Sequence, residues 1–398
     1  MTELFLLELL KGLGKLFANP LFYMFLAAAF VIGVKRVKRE RKEFKVKVHP
    51  VVDNLIQSLF PGLLVGLAGS AVFLAAGVAL PFGMLAFVGI AYGLLSLTTK
   101  TRFLSPAYAV AIAAAAALFI PELNTGYSII NRWSQDIQDT SVISLAVILG
   151  VLLVQEGILI IWKGDKRTSP RLFKGKRGQY IGAHEATRLW ILPQFLLIPA
   201  GNVPEIGWWP LMGLGSAGFA FILFPFAIGY RQLVTHTIPA EAIKVLGRKV
   251  LLLGIVITAA AAGAFALDLT LLGIAAVAAG LVGRELITIL AAQRDDTKPS
   301  LFVRRNHGLI VLGVIPGTPA DSMGLKTGEV IMKVNGVTMT PDSNFYQAVQ
   351  KNAAFCKLEV LDEQGEIRFA QRSVYETDPH ELGVLFVHDV KEKSSAVS

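Results

Sequence analysis

The chain has little of what membrane-embedded catalysis requires. It holds a single cysteine, Cys356, which excludes a disulfide framework and any paired-cysteine metal site, so a reduced, buried thiol is expected. Its six histidines stand at 49, 184, 236, 307, 380 and 388, with no two one helical turn apart. A zinc protease helix needs two such His with a Glu between them as base. The nearest string is His184-Glu185-Ala186-Thr187-Arg188, where Arg stands in place of the second ligand and the surrounding loop is basic. Serine chemistry needs a His on a neighbouring span to activate the nucleophile. Ser70 follows Gly69 and Ser216 follows Gly215, but no apolar span carries a His. Small residues there, and Gly62-x-x-x-Gly66, are expected to permit close helix packing instead. Neither metal nor cofactor is expected, and the chain does not read as an enzyme.

Charge is also scarce, at 17% of residues, while 54% are hydrophobic and the mean hydropathy is +0.57. That balance excludes a soluble enzyme of this size. A spanning helix needs about 20 apolar residues. Candidate spans cover residues 17–34, 59–80, 82–97, 104–120, 141–162, 208–230, 250–267 and 269–290. Residues 189–201 are apolar but short and interrupted by Pro193 and Pro199; a span, a re-entrant piece and an interfacial helix all fit. Eight or nine passes follow.

What charge there is sits in blocks. Lys35, Arg36, Lys38, Arg39, Arg41, Lys42, Lys45 and Lys47 crowd the first long loop, and Lys163, Lys166, Arg167, Arg171, Lys174, Lys176 and Arg177 another. The connection over 121–140 carries Glu122, Asp136 and Asp139 against Arg132 alone. Excess Lys and Arg mark cytoplasmic loops, so the first two blocks face inward and the acidic connection outward. The carboxyl-terminal region then lies in the cytoplasm; the amino terminus is outside with nine passes and inside with eight. No cleavable leader is expected, since the first apolar run runs into basic residues. The formal charge of +9 lies beside spans without interleaved aromatics, so anionic lipid rather than nucleic acid is its counter-charge. Within spans, Glu156, Arg284 and Glu285 are the ionisable residues. Snorkelling or local pairing explains them, with a transport path through Glu156 as the rival reading.

Residues 308–336 break the membrane pattern. Leu309 to Ile315 is a continuous apolar run, as in a strand covered on both faces. Pro316-Gly317-Thr318-Pro319 ends it, Pro319 opens a short helix, and Gly324 or Gly328 supplies a turn. Glu329 to Val334 forms a strand, and Asn335-Gly336 is a tight-turn signal. The string Pro316-Gly317-Thr318-Pro319-Ala320, Met323-Gly324-Leu325, Lys326-Thr327-Gly328-Glu329, then Ile331 to Gly336, resembles the core of a PDZ domain of the HtrA protease type. Glu329 stands where that pattern has Asp. No soluble region before residue 290 could hold the trypsin-like domain of those proteases.

PDZ domains commonly bind an extended peptide between a sheet edge and a helix. The groove helix is expected over 343–352, with Phe345, Tyr346, Ala348 and Val349 as its apolar stripe. Strands at 357–361 and 367–374 follow, with a turn at 362–365. The peptide-binding loop of PDZ domains normally precedes this core, but its pattern occurs here only afterwards, as Glu381-Leu382-Gly383-Val384-Leu385-Phe386-Val387. Two readings stay open: a permuted domain whose last strand supplies the groove edge, or a closing edge strand alone. In the first, Leu382, Gly383, Val384 and Phe386 line the groove with Phe345, Tyr346 and Val349, and the backbone N–H groups of 382–384 receive a carboxylate or carbonyl.

The expected class is therefore an α-helical polytopic membrane domain followed by a small α+β PDZ domain. Its parts are an amphipathic segment (1–16), the transmembrane domain (17–292), a linker (293–300), the PDZ domain (301–388) and a disordered tail (389–398). This layout, with Asn19-Pro20-Leu21-Phe22-Tyr23 before a span and Val37-Lys38-Arg39-Glu40-Arg41-Lys42 after it, resembles the MinJ family of Gram-positive rods. The resemblance implies a non-enzymatic determinant of division-site selection at septa and poles, linking a DivIVA-like marker to a MinD-like inhibitor among other divisome membrane proteins. An intramembrane protease or its regulator, and then a transporter, are the alternatives.

Overall fold

The computed structural model describes residues 2–98, 100–175, 178–213, 218–340, 345–352, 355–373 and 382–388. The expected tail beyond 388 lies outside the described residues, as do Ser343, Asn344, Val374 and Glu381. Helix α1 (Thr2–Ala18) leads into α2 (Pro20–Phe44) and α3 (Val51–Ala76). The start of α2 is set locally: Asn19 Oδ1 accepts from the N–H of Leu21 at 3.0 Å and Pro20 takes the first helical position, where its missing N–H costs nothing. Next come α4 (Phe82–Leu97), α5 (Pro106–Phe119), the amphipathic α6 (Ser128–Gln138) and α7 (Val142–Leu159). Helix α7 is buried on nearly every side and is the axis of the bundle; α8 (Pro239–Ala266) and α9 (Thr270–Thr297) pack against it.

Among the described residues, five helices are long and apolar enough to cross a membrane: α2, α3, α7 with its extension to Gly164, α8 and α9. Helices α4 and α5 are apolar but shorter. Within the expected span over 208–230, the described residues are not helical. Strands β1 (Ser169–Lys174), β2 (Tyr180–Val203) and β3 (Phe219–Val234) form an antiparallel sheet in the order β1-β2-β3, and the apolar stretch 189–201 lies in β2. The residues explain the correction. Pro193 and Pro225 face each other in register; either would break a helix, whereas a strand loses only one ladder bond. Aromatic and β-branched residues (Trp190, Ile191, Phe221, Ile222, Phe224, Phe226, Ile228) fill the same segments.

An open two-stranded ribbon at membrane depth needs its edge groups bonded within the protein, and neighbouring segments supply bonds on both edges. Ser70 Oγ of α3 accepts from the Phe195 N–H at 2.9 Å, and the segment after α3 bonds Leu197 through Val78 O (3.1 Å) and Leu80 N (2.9 Å). On the other edge, Tyr92 OH donates to Ala227 O at 3.0 Å and Lys15 Nζ to Phe221 O at 3.3 Å. The glycines of α3 thus serve a strand rather than a helix. A Cβ on Gly62 would overlap the Ile191 carbonyl oxygen, and one on Gly66 would lie 2.7 Å from Pro193 O. Close helix–helix packing at Gly62-x-x-x-Gly66 is corrected accordingly.

The carboxyl-terminal sheet contains β4 (Leu309–Val314), the short helix α10 (Pro319–Ser322), β5 (Val330–Val334), β6 (Val337–Thr338), helix α11 (Phe345–Gln350), β7 (Phe355–Leu361), β8 (Ile367–Ser373) and β9 (Val384–Phe386). Its order is β8-β7-β5-β4-β9, with β6 on β5. Asn335 (φ 47°) and Gly336 (φ 80°) make the two-residue turn between β5 and β6, where positive φ at both positions matches strand twist.

Candidate functional site

Strand β9 pairs antiparallel with β4 and forms one edge of the sheet. Its approach is held by backbone bonds: Ile315 N–H donates to Gly383 O and Ala320 N–H to Leu382 O, both at 2.9 Å. Gly383 has φ 84°, and a Cβ there would overlap the Thr318 side chain. Glycine is therefore required twice over, by conformation and by contact. The Pro316–Pro319 turn and the Leu382-Gly383 loop, 60 and more residues apart in sequence, are one structural unit.

Helix α11 lies beside this edge. The Phe345 and Phe386 rings are 4.8 Å apart at 64°, and Phe345 and Tyr346 are 5.6 Å apart at 84°, the edge-to-face geometry that aromatic quadrupoles favour. Phe345, Leu382 and Val384 are buried in the core of this sheet, Phe386 and Val349 are half-buried, and Tyr346 is exposed. Of the seven expected groove residues, Phe345, Val349, Leu382, Val384 and Phe386 share one apolar cluster, Tyr346 lies against Phe345 and Gly383 against Thr318; of these, Tyr346, Val349 and Phe386 offer side-chain surface. Asn335 anchors the helix: its Nδ2 donates to Ala348 O (3.1 Å) and Val349 O (3.2 Å), and its Oδ1 accepts from Lys357 N–H (2.9 Å).

Glu329, the residue that departs from the PDZ pattern, is buried. It accepts from Arg368 through Nε at 2.9 Å and Nη2 at 2.7 Å, and from the Lys326 N–H at 2.9 Å. The longer side chain reaches a guanidinium on β8 and ties the turn before β5 to the far side of the sheet. Cys356 is buried in the same core, and burial pushes its thiol up to about 11. A neutral thiol is a poor nucleophile.

A second feature was not anticipated. The face of β9 away from its own core is also covered. Leu385 and Val387 cluster with Phe302, Ile310 and Leu312, and across the boundary with Phe44 at the end of α2, Val48 beyond it and Leu172 of β1. Phe302 and Leu312 are fully buried; burying a side chain of this size contributes about 1.5–3 kcal/mol. The Gly182 N–H donates to Phe302 O at 2.8 Å. His184 Nε2 lies 2.6 Å from Leu312 O and its Nδ1 2.9 Å from Thr168 Oγ1. A carbonyl can only accept, so Nε2 carries the proton and Nδ1 accepts from the threonine hydroxyl. Burial lowers the pKa of this ring to about 4. The run Leu382 to Val387 held a signal for this seam: apolar residues on both strand faces call for a second covering layer.

Adjacent residues on a strand point to opposite faces, which decides the His184-Glu185 question. Glu185 faces away from the seam and pairs with Arg39 (2.6 Å), Arg231 (2.6 Å) and Arg171 (3.1 Å). Burial alone would raise its pKa, but the guanidinium groups, Arg39 foremost, hold it below the ordinary carboxylate value. Among the described residues no group of three or more His, Cys, Asp or Glu side chains could hold a metal ion. Glu156 is paired as well: Arg284 reaches its Oε1 through Nε (2.8 Å) and Nη2 (2.7 Å), and Ser105 Oγ donates to Oε2 (2.7 Å). Local pairing accounts for this buried acid.

Five helices long and apolar enough to cross a membrane, followed by a C-terminal β-rich region, define a membrane protein with an attached β-rich domain. The chain is 36% identical to the cell division topological determinant MinJ of Bacillus subtilis (strain 168) over 98% of each chain. It is 26% identical to a probable cell division topological determinant MinJ of Lacticaseibacillus paracasei, over 93% of this chain and 96% of that one. A putative serine protease HhoA of Synechocystis matches over 67 residues at 30% identity, 16% of this chain and 17% of that one, which fits a PDZ-like region. No family model matches the chain. The chain belongs to the MinJ family of cell division topological determinants.

Proposed function

We propose that the protein is a membrane-anchored, non-enzymatic scaffold of division-site selection, with a cytoplasmic PDZ domain that recruits its partners. A peptide adds as a strand to β9 and is gripped by Phe386, Tyr346 and Val349. The partners are a polar and septal marker of the DivIVA kind and a division inhibitor of the MinD kind, one on the groove and one on the basic loops. The observation that carries this reading is the edge strand β9 lying beside α11, with Phe345 and Phe386 in ring contact between them. That arrangement offers main-chain pairing and side-chain pockets together. Inward orientation of the carboxyl-terminal domain follows from the basic block that ends α2 and the one that follows α7.

The test is localisation of a fluorescent fusion in growing rod-shaped cells, with and without residues 300–398. Enrichment at septa and poles that is lost on deletion is expected; a uniform membrane signal unchanged by deletion overturns the reading. For the groove itself the substitution is Tyr346→Asp, because Tyr346 is 40% exposed whereas Val384, at 3%, is core. Val384→Asp would test folding instead.

A further inference from the structure

Behind Glu185 lies a cavity of about 220 Å³ walled by six cations, Lys35, Arg36 and Arg39 of α2, Arg167, Arg188 of β2 and Arg231 of β3, with Glu185 as the one carboxylate in its wall. Glu185 is already used by Arg39 and Arg231. Arg167 is paired with Asp53 beyond the wall. Arg36 reaches Glu40 only at 3.7 Å and donates to Pro50 O at 3.1 Å. Arg188 is 2% exposed and donates to the carbonyls of Lys166, Arg167 and Thr187, with no described carboxylate in an ion pair with it. The Nε atoms of Arg188 and Arg36, two residues more than nine-tenths buried, have no hydrogen-bond partner.

This is an uncompensated site. A buried cation without an acid is costly, and burial, with Arg36 beside it, lowers the Arg188 pKa to about 10. Six cations around one carboxylate suit the oxygens of a phosphate, which guanidinium forks bind in bidentate fashion. The position in the chain points to where the phosphate comes from. Ile32 lines the cavity on the same helix as Lys35 and Arg36, at the point where the apolar run of α2 gives way to its basic block. In a spanning helix that is the depth of lipid headgroups.

We propose that this cavity binds the phosphate of an anionic phospholipid headgroup, with Arg188 and Arg36 as its floor and Lys35 at its mouth. The proposal rests on the membrane reading of α2 but not on the scaffold role, which localisation tests separately.

The experiment uses the full chain purified in zwitterionic detergent and reads its thermal unfolding on adding phosphatidylglycerol, phosphatidylcholine or inorganic phosphate. Phosphatidylglycerol should raise the midpoint by several degrees and phosphatidylcholine should not. Lys35→Glu, at an exposed position, should weaken the lipid response, read against its own lipid-free midpoint, at least fivefold, and Arg188→Gln should abolish it. Lys47→Gln, outside the cavity, should respond as the parent does. Equal stabilisation by the two lipids, or a full response in Lys35→Glu, overturns the proposal. Full stabilisation by inorganic phosphate alone overturns the lipid source.

Discussion

His184 and Leu312 are joined by a 2.6 Å hydrogen bond from the imidazole Nε2–H to the backbone carbonyl, and this bond couples the sheet within the helical domain to the sheet that carries β9. Because the ring is buried and its pKa lowered to about 4, the folded seam disfavours the imidazolium. Above pH 6.5 the ring is neutral folded or unfolded, and the contact has full strength. As pH falls from 6.5 towards 4 the seam loses on the order of 3 kcal/mol. Protease cleavage between α9 and β4 should accelerate at pH 4.5 relative to pH 7.5. His184→Gln should flatten most of that change; the residual slope belongs to His49, which burial and Arg36 also lower to about 4, and to Glu185, whose ion pairs weaken as acid is added. A pH response identical in His184→Gln would remove His184 from this role.

The Glu156–Arg284 pair predicts an asymmetric result. Glu156→Gln leaves a guanidinium buried without its acid and should cost roughly 3–5 kcal/mol, read as a lower unfolding midpoint in detergent. Glu156→Leu with Arg284→Met should recover most of it and localise as the parent does. Loss of localisation in a stable double variant would show that the charges do more than neutralise each other.

Gly62 and Gly14 make a matched comparison. Gly62→Ala drives a methyl group into the Ile191 carbonyl and should destabilise by about 1–3 kcal/mol. A methyl group on Gly14 of α1 would meet nothing within 4 Å, so Gly14→Ala should be neutral or up to about 1 kcal/mol stabilising through helix propensity. Thermal unfolding of the two variants side by side decides it.

Topology follows from the hairpin. A ribbon that goes in and returns adds no crossing; if the shorter α4 and α5 cross along with α2, α3, α7, α8 and α9, the number of crossings is odd. Reporter fusions near residues 175 and 237 should report the same side, fusions near 124 and 206 the opposite one, and the two ends of the chain should lie on opposite sides. Fusions at 175 and 237 on different sides would make the 180–234 segment a crossing.

The carboxyl-terminal sheet was legible because its cues are local: Pro319, Gly324, Gly328 and Asn335-Gly336 each dictate a backbone conformation that neighbours cannot override. The helical region was legible as apolar but not as helix or strand, since hydropathy is silent about hydrogen bonding. Segment 208–230 read as a span by length and apolarity, and Pro225 was the residue that argued otherwise. Of the groove residues, Phe345 was legible from the apolar stripe of its helix and Phe386 from the Glu381–Val387 string. The seam through Phe44, Leu172 and Phe302, and the cavity around Arg188, join residues up to hundreds of positions apart. No local pattern in the chain encodes such meetings.

The edge bonds of the β2–β3 hairpin also bear on biogenesis. In the apolar part of the ribbon, the edge-bonding groups Lys15, Ser70, Val78, Leu80 and Tyr92 precede it in the chain; Phe302, which follows it, bonds only Gly182 near the open end. Gln155, whose amide oxygen accepts from Gln194, also precedes the ribbon. The ribosome therefore makes the cradle before the ribbon, and the strands emerge next to donors and acceptors already in place. In the reverse order, unpaired backbone would have to wait in lipid.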